Sequence, residues 1–306
     1  MRITVRSSGI LSSALTLCVL GLPLMAQQAP PPTSATWTAV EDALGRKGAM
    51  QPGNVIKFSF PRSDLSVTVA GVTLKPALAL GGWVAFKEAG HASAMAMGDL
   101  VLTEDEVGPV MSALQAGGVE QTALHNHVLN ESPRVMYMHI FAHGESAKIA
   151  RTIHDALGQT KTPLGAPSAP AAASAADLDT AGIARELGIA GKLNGVVYQV
   201  SVPRSEKITE MGTEVPPSMG VATAINFQPT GGGKAAITGD FVLQGSEVNP
   251  VIRALRGHGI AVTAVHSHML EESPRLYFMH FWANDDAVTL AKGLRAALDQ
   301  TKSKKR

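Results

Sequence analysis

Two short stretches of this chain, 141 residues apart, carry the same set of groups able to bind a metal. Residues 122–142 read TALHNHVLNESPRVMYMHIFA and residues 263–283 read TAVHSHMLEESPRLYFMHFWA, identical at 12 of 21 positions. The shared positions include a His-x-His pair and a third histidine: His125, His127 and His139 in one copy, His266, His268 and His280 in the other. They also include a glutamate (Glu131; Glu272) and a Ser-Pro-Arg turn ending in Arg134 or Arg275. Three neutral imidazoles make an open site for zinc, copper, nickel or iron(II), leaving a coordination position for water or substrate. Glu131 and Glu272 are candidates for a fourth ligand or for the base of a hydrolytic reaction. Arg134 and Arg275 are candidates for a fork that orients an anion, or for an ion pair with the neighbouring glutamate. A histidine in an apolar strand is also a common core residue with satisfied nitrogens. Six of the ten histidines fall in the repeated triplets, which favours metal binding.

The spacing demands strands. Residues two apart in a strand face the same side, so His125 and His127 project together if 121–129 is extended, with 134–142 as its partner. Pro133 cannot donate to a ladder, and the segment from Leu129 to Pro133 is a natural reversal. A hairpin whose paired residue numbers sum to about 264 puts His139 opposite His125; any even sum keeps the three rings on one face, and an odd sum sends His139 away. The simplest expectation is one such site in each repeat.

Other recurring residues have plainer roles. Arg62 and Arg204 each follow a proline and are expected in strand-end salt bridges. Glu106 stands three residues after Thr103, a capping-box spacing, and Glu247 occupies the matching helix start without a threonine. Asp99 and Asp240 follow a glycine, which suggests turn hydrogen bonds at a strand start. Tyr277, Phe278, Phe281 and Trp282, beside His280, read as core.

These pieces belong to a duplicated chain. Residues 1–26, with Arg2 and Arg6 ahead of an apolar stretch from Gly9 to Met25, have the form of a secretory signal. Residues 27–36 read as a Pro-rich linker, 37–160 as the first repeat, 161–177 as a Pro/Ala/Ser-rich tether and 178–306 as the second repeat. Within each repeat, helices are expected at 40–44, 107–116 and 146–157, and again at 183–187, 248–256 and 287–298, around β-rich sequence. The class is α+β, with two homologous domains in tandem, each a mainly antiparallel sheet with packed helices. Cys18, the only cysteine, lies in the signal, so the mature chain has no thiolate and any metal must be held by imidazole, carboxylate and water. Leu17 precedes it where a lipid-anchored protein has a small residue, which argues against an anchor. The formal net charge is +1, or −1 without Arg2 and Arg6, and no basic block tracks a phosphate backbone, so nucleic acid is not an expected partner. No later stretch is long and apolar enough to span a bilayer.

The strings HNHVLNESPR and HSHMLEESPR, followed by MHIFA and MHFWA, resemble the LppY/LpqO family over nearly the whole mature chain. The resemblance implies an exported or lipid-anchored bacterial envelope protein with a duplicated domain of unknown function, and it carries no catalytic residue over. Two functions are therefore expected from the residues. One is an exported, periplasmic or extracellular protein that binds a divalent transition metal such as zinc, with metal-dependent hydrolysis as the candidate reaction. The other is a metal-free module that binds a small molecule or protein, its histidines structural or hydrogen-bonded to a polar ligand.

Overall fold

The computed structural model describes residues 1, 35–90, 92–165 and 177–304, so the expected signal, most of both linkers and His91 lie outside the described residues. The first repeat runs α1 (Ala35–Leu44), β1 (Ala49–Gln51), β2 (Val55–Pro61), β3 (Thr68–Val69), β4 (Val72–Thr73), α2 (Pro76–Ala79), β5 (Gly81–Gly90), β6 (Ser93–Thr103), α3 (Glu104–Ala116), β7 (Glu120–His125), β8 (Val135–Glu145) and α4 (Ser146–Leu157). The second runs α5 (Thr180–Leu187), β9 (Lys192–Asn194), β10 (Val197–Pro203), β11 (Thr209–Glu210), β12 (Thr213–Glu214), a 3-10 turn (Pro217–Met219), β13 (Ala222–Gly231), β14 (Lys234–Leu243), α6 (Gly245–Gly257), β15 (Ala261–His266), β16 (Glu272–Ser273), β17 (Tyr277–Asp286) and α7 (Ala287–Leu298). Helix α1 begins at Ala35, inside the span expected to be linker.

Each repeat forms one six-stranded antiparallel sheet, ordered β1-β2-β5-β6-β8-β7 in the first and β9-β10-β13-β14-β17-β15 in the second. This is the expected α+β class. Strand alternation decides what each face meets. On β6, Ala94, Ala96, Leu100 and Leu102 pack with α1, α3 and α4 through Trp37, Val40, Leu114 and Ile153. Met95 and Met97, on the other face, share a core with Val242, Met269 and Phe278 of the second repeat. Val101 and Tyr137 likewise pack with Val197 and Ala236. In the second repeat Ile237, Phe241 and Leu243 of β14 pack with α5, α6 and α7. The two sheets thus lie face to face with helices outside, and the described residues between Ala35 and Lys304 form one compact unit. Both expected repeats are present, each one sheet with its own helices. Each repeat has a helix-side core, but the sheet-to-sheet core belongs to both.

Buried ion pairs close the strand ends, as expected. The Arg62 side chain donates to Glu106, Asp64 and the Val101 carbonyl. Arg204 repeats this with Glu247 at 2.7 Å, Glu206 and the Val242 carbonyl. Glu106 and Glu247 also accept the backbone N–H of Thr103 and Gln244 at their helix starts, so Gln244 stands in for the threonine that the second copy lacks. Among the described residues no helix is long and apolar enough to cross a membrane.

Candidate metal centre

Strands β7 and β15 end at His125 and His266, four residues earlier than the extended segment expected for the first copy. His127 and His268 therefore sit in the turns that follow. Those turns are anchored crosswise: Thr122 Oγ1 donates to the His268 carbonyl at 2.6 Å, and Thr263 Oγ1 donates to the His127 carbonyl at 2.5 Å. The ladder pairs His125 with Tyr137 and Ala123 with His139, a register sum of 262 rather than 264. The sum is still even, so His125 and His139 share a face, but they are diagonal instead of opposite.

That face looks into the space between the sheets, where it meets its counterpart. The rings stack in pairs that cross the repeats: His125 on His266 at 3.6 Å between centroids, His127 near His280 at 3.9 Å, and His139 on His268 at 3.7 Å. Tyr137 and Phe278 cover the outer faces of His127 and His268 at 3.3 and 3.4 Å. The expected two sites, one per repeat, are replaced by one cluster built from both. Of the triplets with metal-compatible geometry, two mix the repeats, His125 with His127 and His280, and His125 with His139 and His266, while Asp240, His266 and His268 come from the second repeat alone; each set lies within 4.8 Å.

The polarity of the rings is set by their backbones. Nδ1 of His125, His266 and His280 lies 3.1, 3.2 and 2.7 Å from the carbonyls of Asn126, Ser267 and Gly239. A carbonyl only accepts, so these Nδ1 atoms carry the proton and each Nε2 presents a lone pair. Metal-bound histidines are oriented in the same way. Nε2 of all six histidines, with Oδ1 of Asp99 and of Asp240, are buried without a protein hydrogen-bond partner. They are eight of the twelve such atoms among the described residues.

Burial also keeps five of the rings neutral. It pushes His125 down to about 4, assisted by His266 and opposed by Asp99. It holds His127, His139, His268 and His280 well below the usual histidine value. The Asp240 carboxyl is pushed up by burial, against the pull of His280 and His266. Lys57 lies over the Trp83 ring and is lowered by burial to about 8, against the pull of Asp99. Gln199 and Ala224 take the corresponding places in the second repeat, so the two halves of the site are not equivalent.

Asp99 and Asp240 are the residues that sequence reasoning misplaced. They lie mid-strand on β6 and β14, paired with His139 and His280, rather than in turns. Asp99 Oδ2 is 3.5 Å from His127 Nε2 and its Oδ1 is 3.9 Å from His139 Nε2. Asp240 Oδ2 is 3.0 Å from His268 Nε2, without hydrogen-bond alignment, and its Oδ1 is 3.9 Å from His280 Nδ1. Their recurrence as Gly98-Asp99 and Gly239-Asp240, each a charge inside an apolar run, was the available signal.

The expected glutamates and arginines are employed elsewhere. Glu272 is buried, accepts from the Leu276 N–H at 2.9 Å and pairs with Arg275 at 3.1 Å. Glu131 accepts from the Val135 N–H at 3.4 Å. The exposed Arg134 approaches Glu104 at 3.7 Å, and Arg275 also donates to the Leu270 carbonyl. Glu131, Glu272 and Arg275 bond within the turns that carry His127 and His268, and the metal-compatible triplets contain neither glutamate. The ion-pair alternative describes Arg275, whereas Arg134 turns to a different glutamate.

Gly239 shows how tightly the second half is built. A Cβ there would run into the Ala224 carbonyl oxygen, and the Gly239 carbonyl holds His280. Gly239→Ala is expected to force β13 from β14 at a cost of about 1–3 kcal/mol. Urea denaturation measures the loss, and an unchanged midpoint would refute this tight packing.

The fold and the site define a duplicated α+β protein whose repeats close face to face over a shared histidine and aspartate cluster. The chain belongs to the family described as Domain of Unknown Function (DUF1259), which matches residues 38–159 and 181–300, one match per repeat. No curated protein matches this sequence. Two solved structures show a distant likeness. One is PduB, a trimeric bacterial microcompartment shell protein, at 13% identity over 82% of this chain and 90% of that one, with a TM-score of 0.20. The other is EtuB from Clostridium kluyveri, at 10% identity over 88% and 93%, with the same TM-score of 0.20. At that TM-score neither carries an argument about this chain.

Proposed function

We propose that this is an exported protein that binds a transition metal, zinc being the first candidate, in one centre shared by its two repeats. The observation that carries this reading is the convergence of eight buried donor atoms without partners, six imidazole Nε2 and two carboxylate oxygens. Leaving a buried polar group unpaired costs about 1–3 kcal/mol, so such a cluster needs a ligand that accepts lone pairs. Neutral imidazoles with Nδ1 held by carbonyls meet that need without first losing a proton. Export, in the manner of the LppY/LpqO proteins it resembles, rests on the charged and apolar pattern of residues 1–26.

A bound divalent ion would supply an acidified water and a Lewis acid for hydrolysis. The chain's own groups define what such chemistry would require. His139 and His280 are each 3% exposed, and although His127 and His266 are half-buried, Nε2 of all six rings is buried. A groove of about 590 Å³, lined from both repeats by residues including Thr122, Glu210 and Leu270, supports the second reading, a small-molecule binding module without metal.

Elemental analysis of the chain purified without a histidine tag tests the proposal. A whole-number metal content is expected, falling at least tenfold in the His125→Ala/His266→Ala variant. Absence of metal, even after incubation with zinc, copper, nickel and iron(II), would leave the small-molecule reading in its place.

A further inference from the structure

The cluster holds more donors than one ion can use. A zinc-like ion takes four ligands, so a single ion would leave at least four of the eight orphaned atoms buried and unpaired. The arrangement of the donors resolves the excess. A pseudo-twofold relation, evident in the sequence offset of 141 and in the crossed ring pairs, exchanges His125 with His266, His127 with His268 and His139 with His280. Applied to the triplet His125, His127 and His280, it generates His266, His268 and His139. Two of this second set, His266 and His268, already stand together with Asp240.

The aspartates then fall between the two triplets. Asp99 directs Oδ2 toward His127 of the first triplet and Oδ1 toward His139 of the second, at 3.5 and 3.9 Å. Asp240 directs Oδ2 toward Nε2 of His268 in the second, at 3.0 Å, while its Oδ1 lies 3.9 Å from His280 Nδ1, the nitrogen held by the Gly239 carbonyl. Asp99 thus offers one oxygen to either side, and the pseudo-twofold relation gives Asp240, whose Oδ1 is buried without a partner, the equivalent place.

We infer that the centre is dinuclear: two first-row transition-metal ions, each held by three imidazoles drawn from both repeats, with Asp99 and Asp240 as bridging carboxylates. This rests on the metal-binding reading above and specifies its stoichiometry and bridges. The two carboxylates supply two negative charges against the two divalent ions, so an exogenous anion or hydroxide is the natural further ligand. Such paired ions stand about 3.5–4 Å apart and clamp both oxygens of a displacement.

The test is a cobalt(II) titration of the chelator-treated, tag-free chain, followed by visible absorbance, elemental analysis and low-temperature electron paramagnetic resonance. Absorbance should rise to an end point of two ions per chain, with the resonance of the loaded protein weakened by coupling through the bridges. The Asp99→Asn/Asp240→Asn variant, if its circular dichroism matches the parent, should bind one ion or two uncoupled ones. An end point at one ion, or two ions with full uncoupled resonance in the parent, would overturn the dinuclear centre and leave the metal-binding reading standing. No cobalt, zinc or copper bound at all would remove both. If the variant does not fold, the parent titration decides alone.

Discussion

In the absence of added metal, the protein should lose most of its stability between pH 6.5 and pH 4. Five histidines of the cluster have folded values held below the unfolded value near 6.5, chiefly by burial. Above pH 6.5 both the folded and unfolded chains leave these rings neutral, and they impose no penalty. Below it the unfolded chain takes up protons that the folded chain refuses, so stability falls with pH until the folded values are reached. For His125, lowered to about 4, the loss is roughly 3 kcal/mol at ~1.4 kcal/mol per pH unit. The other four add to it. Asp240, raised by burial, acts in the opposite sense, because its folded carboxyl takes a proton more readily than the unfolded one. Depressed carboxylates, Glu106, Glu206 and Glu247 among them, contribute only below their unfolded value near 4.5. Urea denaturation of the metal-free chain at pH 7.5, 6.5, 5.5 and 4.5 measures the slope. A midpoint that stays level over this range would show the rings to be hydrated rather than buried and neutral.

Arg204→Ala should cost about 3–5 kcal/mol, the penalty for stranding a buried charge. Arg204 is 3% exposed and its guanidinium grips Glu247 through both nitrogens, at 2.7 and 3.1 Å. Glu247 in turn accepts from the backbone N–H of Gln244 and Lys302, tying the start of α6 to the chain's end. Burial by itself would raise the Glu247 carboxyl, but Arg204 and the two amides outweigh it and hold the group below the ordinary carboxylate value. The stability that this pairing adds is full above the unfolded value and is lost as pH falls through the folded one. Replacing both partners, as Arg204→Met/Glu247→Leu, should recover much of the loss, because two apolar groups leave no charge stranded. Thermal or urea unfolding of the three proteins measures both effects. A loss under ~1 kcal/mol in Arg204→Ala would mean that water reaches Glu247.

Much of the centre was legible in the residues. The offset of 141 marks a duplicated domain, and period-two alternation puts His125 and His139 on one face for any even register. The actual register is two residues from the expected one because β7 ends at His125 and a bulge intervenes between Gln121 and Ala123. Glu131 and Glu272 each accept a turn N–H, because a carboxylate beside a turn serves a nearby backbone N–H as readily as a metal, and sequence spacing does not separate the two. Asp99 and Asp240 were taken for turn residues because β6 and β14 are buried on both faces. Such strands read as continuous apolar runs without the alternation that shows which way a side chain points.

Residue types, repeat and face are thus local properties, written in the chain as identity and period, and the sequence alone determined them. The partner of each histidine is not. His125 meets His266, and Thr122 reaches the turn after β15, only because the helix-covered sheets must bury their remaining apolar faces and find them on each other. That choice lies in packing between segments more than a hundred residues apart, which no local pattern records. The tertiary structure alone turned two expected sites into one.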